Sequence, residues 1–157
     1  MKLISHRGNL SEIDPSKENH PQQIQTCIDA GYDVEIDLRM KNGIPHLGHD
    51  EPQYVIDKEW VKERKNFLWI HVKDYEALNW LMEQVPDATY FCHQSDDFTL
   101  VNNGYIWLHN LNVDITEKCV IPLLDLKDLE KFDFKSQPAL SRICTDYVIQ
   151  AKGMLNE

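Results

Sequence analysis

Seven short apolar runs recur along the chain, at residues 2–5, 32–40, 67–72, 89–92, 105–109, 119–124 and 142–145, and each reads as a strand. The connections between them are amphipathic or polar. Residues 21–30 have helical spacing, with Pro21 in a first turn, Ile24, Cys27 and Ile28 on one face, and Gly31 at the end. Residues 75–85 repeat the pattern through Ala77, Leu78, Leu81 and Val85, with Pro86 just beyond. Asn42-Gly43 is a hairpin signal joining the second run to a short strand at Ile44–Leu47. Residues 60–65 form a basic-acidic segment, residues 110–118 read as a polar loop, and Pro122 limits the ladder of its strand. Strands that alternate with helices or short loops predict an α/β fold with a mostly parallel sheet. A closed barrel and an open sheet both fit that alternation.

The chain has 157 residues, 42% of them hydrophobic, which predicts one domain spanning 1–157 around one core. An eight-fold (β/α) barrel typically takes about 250 residues, so a barrel here must have reduced or lost several helices. Lys plus Arg is 16 and Asp plus Glu is 26, a formal charge of −10 that disfavours nucleic acid and anionic membrane as partners. An anionic substrate therefore needs local positive charge from a metal, Arg or Lys. Cys27, Cys92, Cys119 and Cys144 show no metal-binding spacing; they read as buried free thiols of a reducing, cytoplasmic setting. No run approaches the ~20 apolar residues of a membrane span, and the N-terminal one is too short for a signal peptide.

On the second strand, Glu35 and Asp37 are two residues apart and share a face, while Val34, Ile36 and Leu38 take the other. Two adjacent carboxylates in a core call for a proton or a cation, and their oxygens suit Mg²⁺ or Ca²⁺; a solvated strand end is the bland alternative. His6-Arg7-Gly8 ends the first strand and offers a proton shuttle, a planar phosphoryl grip and a sharp turn. His49, in Gly48-His49-Asp50, supplies a second imidazole just past the hairpin. Two imidazoles around a carboxylate pair are the minimum for acid–base cleavage of a diester.

The ordered set His6-Arg7-Gly8, Glu18-Asn19, Gly31-Tyr32-Asp33-Val34-Glu35-Ile36-Asp37, Asn42-Gly43 and His49-Asp50 resembles the glycerophosphodiester phosphodiesterase family, of the phosphatidylinositol-phospholipase-C-like superfamily. The resemblance covers residues 1–50 and returns at Ile70-His71-Val72-Lys73 and Ile143-Cys144-Thr145-Asp146-Tyr147. It implies a reduced (β/α) TIM-like barrel of about seven to eight mostly parallel strands. It also implies His6 and His49 as the acid–base pair, Arg7 and Lys73 on the phosphoryl group, and Glu18 and Asn19 lining the site. Glu35 and Asp37 would hold a divalent metal ion. A neighbouring substrate hydroxyl would attack, giving a cyclic phosphate.

Three departures follow. His71 stands where the family usually has a third carboxylate ligand; as a metal ligand it would shift preference towards Mn²⁺ or Zn²⁺, and a histidine hydrogen-bonded inside the barrel is the alternative. Only residues 51–66 separate Asp50 from the next strand, so the family's cap insertion is missing and the mouth should be open to a small or polymeric phosphodiester. At the ends of the fourth and fifth long strands, His93 and Trp107 are candidates for contact with a sugar or glycerol moiety, with barrel core as the alternative for Trp107. Trp60, Trp69 and Trp80 read as packing residues, and His20, His46 and His109 as surface or turn residues. A barrel this reduced should expose apolar surface, which points to a homodimer. Competing functions are a non-catalytic phospho-ligand-binding barrel and another metal-dependent barrel enzyme, an isomerase or amide hydrolase; neither of the latter reactions needs Arg7 with Lys73.

Overall fold

The computed structural model describes residues 1–156. Strands β1 (Lys2–His6), β2 (Asp33–Lys41), β3 (Ile44–Leu47), β4 (Tyr54–Val55), β5 (Leu68–Val72), β6 (Thr89–Phe91), β7 (Phe98–Leu100), β8 (Ile106–Leu108), β9 (Cys119–Pro122) and β10 (Arg142–Thr145) form one ten-stranded sheet. Helices α1 (Pro21–Asp29), α2 (Lys58–Arg64), α3 (Tyr75–Gln84), α4 (Leu126–Lys131) and α5 (Val148–Leu155) cover its outer face. Seven strands run parallel in the order β6-β5-β2-β1-β10-β9-β8, and β7 returns antiparallel to β8. Asn102 N donates to Tyr90 O at 3.1 Å, Thr99 Oγ1 to Cys92 O at 2.8 Å and Asn102 Nδ2 to Ala88 O at 2.8 Å. The two ends of the curled sheet are thus joined by single bonds in place of a regular ladder. This is a reduced TIM-like barrel: no helix lies between β6 and β8, or between β8 and β9.

The two-residue period of each strand sorts side chains between two surfaces. Val34, Ile36 and Leu38 of β2 point outwards, are fully buried, and pack with Ile24 and Cys27 of α1 and Ala77 and Leu81 of α3. A large aliphatic side chain buried this way contributes roughly 1.5–3 kcal/mol. Ile4, Trp69, Phe91, Trp107, Val120 and Cys144 point inwards and fill the barrel. Below them Arg142 stacks 4.1 Å over the Tyr105 ring, and Trp69 Nε1 donates to Asp33 Oδ2 at 3.3 Å, closing the N-terminal end. Above them the inward positions turn polar. The apolar layer is therefore the floor of the chamber at the C-terminal ends of the strands.

Asp57, Asp74 and Asp125 cap α2, α3 and α4 through their side-chain oxygens. The strands match the seven predicted runs to within a few residues, and α1, α3 and the β2–β3 hairpin fall where the spacing put them. The basic-acidic segment is helix α2; β4, β7, α4 and α5 are additional elements. Their patterns are too short, or in α5 too uniformly apolar, to carry a period. Cys27, Cys119 and Cys144 are buried thiols, but Cys92 is exposed, because β6 ends one residue before it. His46 is buried and not on the surface: its ring Nδ1 lies 2.8 Å from Ile44 O within its own hairpin.

Candidate active site

The site begins where β1 leaves the sheet. Arg7 (φ 51°) and Gly8 (φ 87°) turn the chain away directly after His6. The Arg7 amide donates to both Glu35 O (3.0 Å) and Glu35 Oε2 (3.3 Å), its last link to β2. Above that point β2 has lost its neighbour. Asn19 fills the gap: its amide donates to Arg7 O at 2.8 Å, its Oδ1 accepts from Asp37 N at 2.8 Å and its Nδ2 donates to Asp37 Oδ2 at 2.9 Å. Next along, Gly48 N donates to Asp37 O at 3.0 Å, so the returning strand β3 delivers His49 to the rim beside Asp37. Gly48 has φ 147°, and a Cβ there would lie 2.0 Å from Glu51 O, so only glycine fits this exit.

His6 points into the chamber. Its Nδ1 donates to Asp146 Oδ1 at 2.8 Å, leaving Nε2 3.8 Å from Glu35 Oε2. Asn9 Nδ2 donates to the same Asp146 oxygen at 2.7 Å and to Glu18 Oε1 at 3.1 Å. Burial works against a charged His6 ring, but the hydrogen bond to Asp146 and the charges of Glu35 and Asp146 outweigh it and raise its pKa above the usual 6.5. His49 goes the other way: partial burial, only partly opposed by Asp37, lowers its pKa. Its Nδ1 lies 2.8 Å from Asp50 Oδ1, and its side chain is 36% exposed at the open mouth.

Glu35, Asp37 and His71 each offer a ligand atom within 4.8 Å of the others. Three observations fit a cation here. Asp37 Oδ1 is buried without a hydrogen-bond partner. His71 Nε2 lies 3.0 Å from His93 O, which can only accept, so the neutral ring carries its proton on Nε2. His71 Nδ1 then turns a lone pair towards Asp37 Oδ1 at 3.4 Å, and two acceptors face each other. Burial and the neighbouring Asp37 charge raise the Glu35 pKa. For Asp37, burial is outweighed by Arg7, Asn19 and Lys73, which hold its carboxyl well below the usual carboxylate range.

Arg7 lies between two acids, with Nη1 3.1 Å from Glu18 Oε2 and Nε 3.1 Å from Asp37 Oδ2. Lys73 Nζ sits 3.6 Å from Asp37 Oδ1 on the opposite flank. All the sequence-predicted residues therefore converge on one end of the barrel. Glu18 contacts Arg7, and Asn19 contacts Asp37. Trp107 is 4% exposed and stacks on Phe91 with ring centroids 4.4 Å apart, so it is floor as well as wall. A chamber of about 100 Å³ is lined by His6, Arg7, Glu35, His49, His71, His93, Trp107 and His109 among others. His109, read from the sequence as a surface or turn residue, is exposed, and it also lines this chamber beside His93; its two-residue offset from the inward Trp107 is the signal that points there. Asp146 and Asn9 are site residues beyond the sequence-predicted set. Asp146 is also two residues beyond an inward one, Cys144, so the same parity finds it; nothing local marks Asn9.

No family model matches the sequence, and no curated protein matches it closely enough to serve as a relative. Among solved structures, the chain is similar to one provisionally assigned as a glycerophosphodiester phosphodiesterase from Galdieria sulphuraria, with 13% identity, TM-score 0.56, and 99% of this chain and 98% of that one covered. It is also similar to a glycerophosphodiester phosphodiesterase from Agrobacterium tumefaciens (10% identity, TM-score 0.54, both chains covered fully). A third, provisionally assigned as a glycerophosphoryl diester phosphodiesterase, comes from Silicibacter pomeroyi (12% identity, TM-score 0.54, 99% and 93% covered). At these identities the likeness is one of fold.

Proposed function

We propose that this chain is a metal-assisted phosphodiesterase acting on a glycerol- or sugar-phosphate diester. The observation that carries the reading is the clustering of Glu35, Asp37 and His71 within 4.8 Å, flanked by His6, Arg7 and Lys73, on the fold of the glycerophosphodiester phosphodiesterase structures. Glu35, Asp37 and His71 would hold the divalent ion, Mg²⁺, Ca²⁺, Mn²⁺ or Zn²⁺. When bound, such an ion supplies Lewis-acid stabilisation of charge on the phosphoryl oxygens. Arg7 and Lys73, on opposite flanks of Asp37, orient and neutralise the same group.

His49, with its lowered pKa, is the base. It takes the proton of a substrate hydroxyl beside the phosphorus, and that oxygen forms the new O–P bond with the large effective molarity of an intramolecular group. His6, with its raised pKa, gives its Nε2 proton to the leaving oxygen as the old P–O bond breaks. The products are an alcohol and a cyclic phosphate. Water can open the ring with the two roles reversed. Asp146 holds His6 in the tautomer that works through Nε2, and the carbonyl of His93 does the same for Nδ1 of His71.

The test is a panel of glycerophosphodiesters, sugar-phosphate diesters and lysophospholipids assayed with and without added divalent ions. Turnover should need the ion and should fall about 10²- to 10⁴-fold in His6→Ala and His49→Ala. Arg7→Ala and Lys73→Ala should abolish it, whereas an isomerase or amide hydrolase would tolerate both changes. No turnover of any member by the folded protein would favour a non-catalytic phospho-ligand-binding barrel. Two further proposals accompany this one. The four free thiols favour a reducing, cytoplasmic setting. The apolar side chains of Phe98 (65% exposed) and Leu100 (71%) on β7 favour a homodimer, which light scattering decides.

A further inference from the structure

The rim of the barrel carries a second pair of imidazoles outside the Glu35–Asp37–His71 cluster. His93 follows β6 by two residues and His109 follows β8 by one, and the two strands are held side by side by the Phe91–Trp107 stack beneath them. Their Nε2 atoms are 3.2 Å apart, with ring centroids at 4.5 Å. The backbone is held at both positions, and the His93 ring is packed as well. The His93 backbone is pinned by the hydrogen bond from His71, and the His93 ring stacks on the His71 ring at 5.1 Å. The His109 amide donates to Asp97 O at 2.8 Å.

Two imidazole nitrogens bound to one tetrahedral zinc, at about 2.0–2.1 Å each, are separated by about 3.3 Å. The pair therefore already has the bite of a zinc site. Both residues line the chamber shared with His6 and His49.

We propose that His93 and His109 bind a borderline divalent cation, zinc or its nitrogen-loving neighbours, as a second metal site distinct from the carboxylate site of Glu35, Asp37 and His71. Imidazole nitrogen selects zinc, copper and nickel over magnesium and calcium. The inference concerns metal binding and does not need the phosphodiesterase reading to hold.

Zinc bound per chain, measured by competition with a chromophoric chelator, tests it without any substrate. The whole protein should bind two ions. Asp37→Asn should keep the ion on the imidazole pair and lose the other. His93→Gln and His109→Gln, which preserve polarity and size at an open rim, should each weaken the second ion by at least about tenfold and leave the first in place. Cys92→Ser should change nothing. An Asp37→Asn protein that binds no zinc would overturn the proposal and reduce the 3.2 Å contact to an imidazole–imidazole hydrogen bond. So would full binding in both His→Gln variants, or a second ion lost in Cys92→Ser and retained in those variants.

Discussion

Replacing Asp146 by Asn isolates the charge that supports His6. Both hydrogen bonds reaching this side chain, from His6 Nδ1 at 2.8 Å and from Asn9 Nδ2 at 2.7 Å, end on the same oxygen, Oδ1. Asparagine keeps that oxygen, so both contacts and the Nδ1–H tautomer survive while the negative charge is lost. A hydrogen bond to a charged group contributes roughly 1.5–3 kcal/mol and a neutral one roughly 0.5–1.5 kcal/mol. The protonated form of His6 therefore loses about 1–1.5 kcal/mol of support. At about 1.4 kcal/mol per pH unit, the alkaline limb of activity moves roughly one unit towards acid, and the rate on that limb falls about five- to tenfold. In the unaltered protein His49 is held below 6.5 and His6 above it. A pH between the two leaves His49 free to accept a proton and His6 able to give one, so kcat/KM should peak there. The same charge acts on stability. Because the folded-state pKa of His6 is raised, its contribution is complete below 6.5 and disappears as pH rises through the folded value. Asp146→Asn should therefore destabilise the protein on the acid side and little on the alkaline side. The assay is kcat/KM against pH for both proteins, with thermal melts at matching pH. An alkaline limb that stays in place, or an acid limb that moves instead, would refute His6 as the proton donor.

Glu35→Gln removes a carboxyl whose pKa is raised by burial and by Asp37, and whose ionised form therefore costs the fold stability as pH rises above the unfolded value. With chelator present at neutral pH, the variant should melt higher than the parent, and it should lose the gain that divalent ions give the parent. His71→Asp should move the metal preference from Mn²⁺ or Zn²⁺ towards Mg²⁺ or Ca²⁺, read by calorimetric titration; tighter Ca²⁺ than Mn²⁺ in the unaltered protein would contradict the assigned role of His71. Gly48→Ala should cost about 1–3 kcal/mol in denaturant melts and lower kcat, since its Cβ meets Glu51 O at 2.0 Å and shifting that turn displaces His49.

Period-2 patterning fixes much of this site before any tertiary structure is known. Glu35 and Asp37 share one face of β2, and Lys73, one residue past β5, continues the parity of His71; the hydrophobic residues between them choose the opposite face, so their direction is local. The hairpin at Asn42-Gly43 is equally local, and it carries His49 back to the strand that holds the carboxylates. What the sequence could not decide is which strands become neighbours across the curl. The contact of His6 with Asp146 joins residues 140 positions apart, and that of His93 with His109 joins the ends of strands that share no ladder. Asn19 bridging Asp37 depends on β1 leaving the sheet early. The short strands β4 and β7 carry too few residues for a pattern. Local alternation determined which side chains face inwards; closure of the barrel alone decided which of them meet, because contacts between distant segments depend on sheet order and not on anything the neighbouring residues encode.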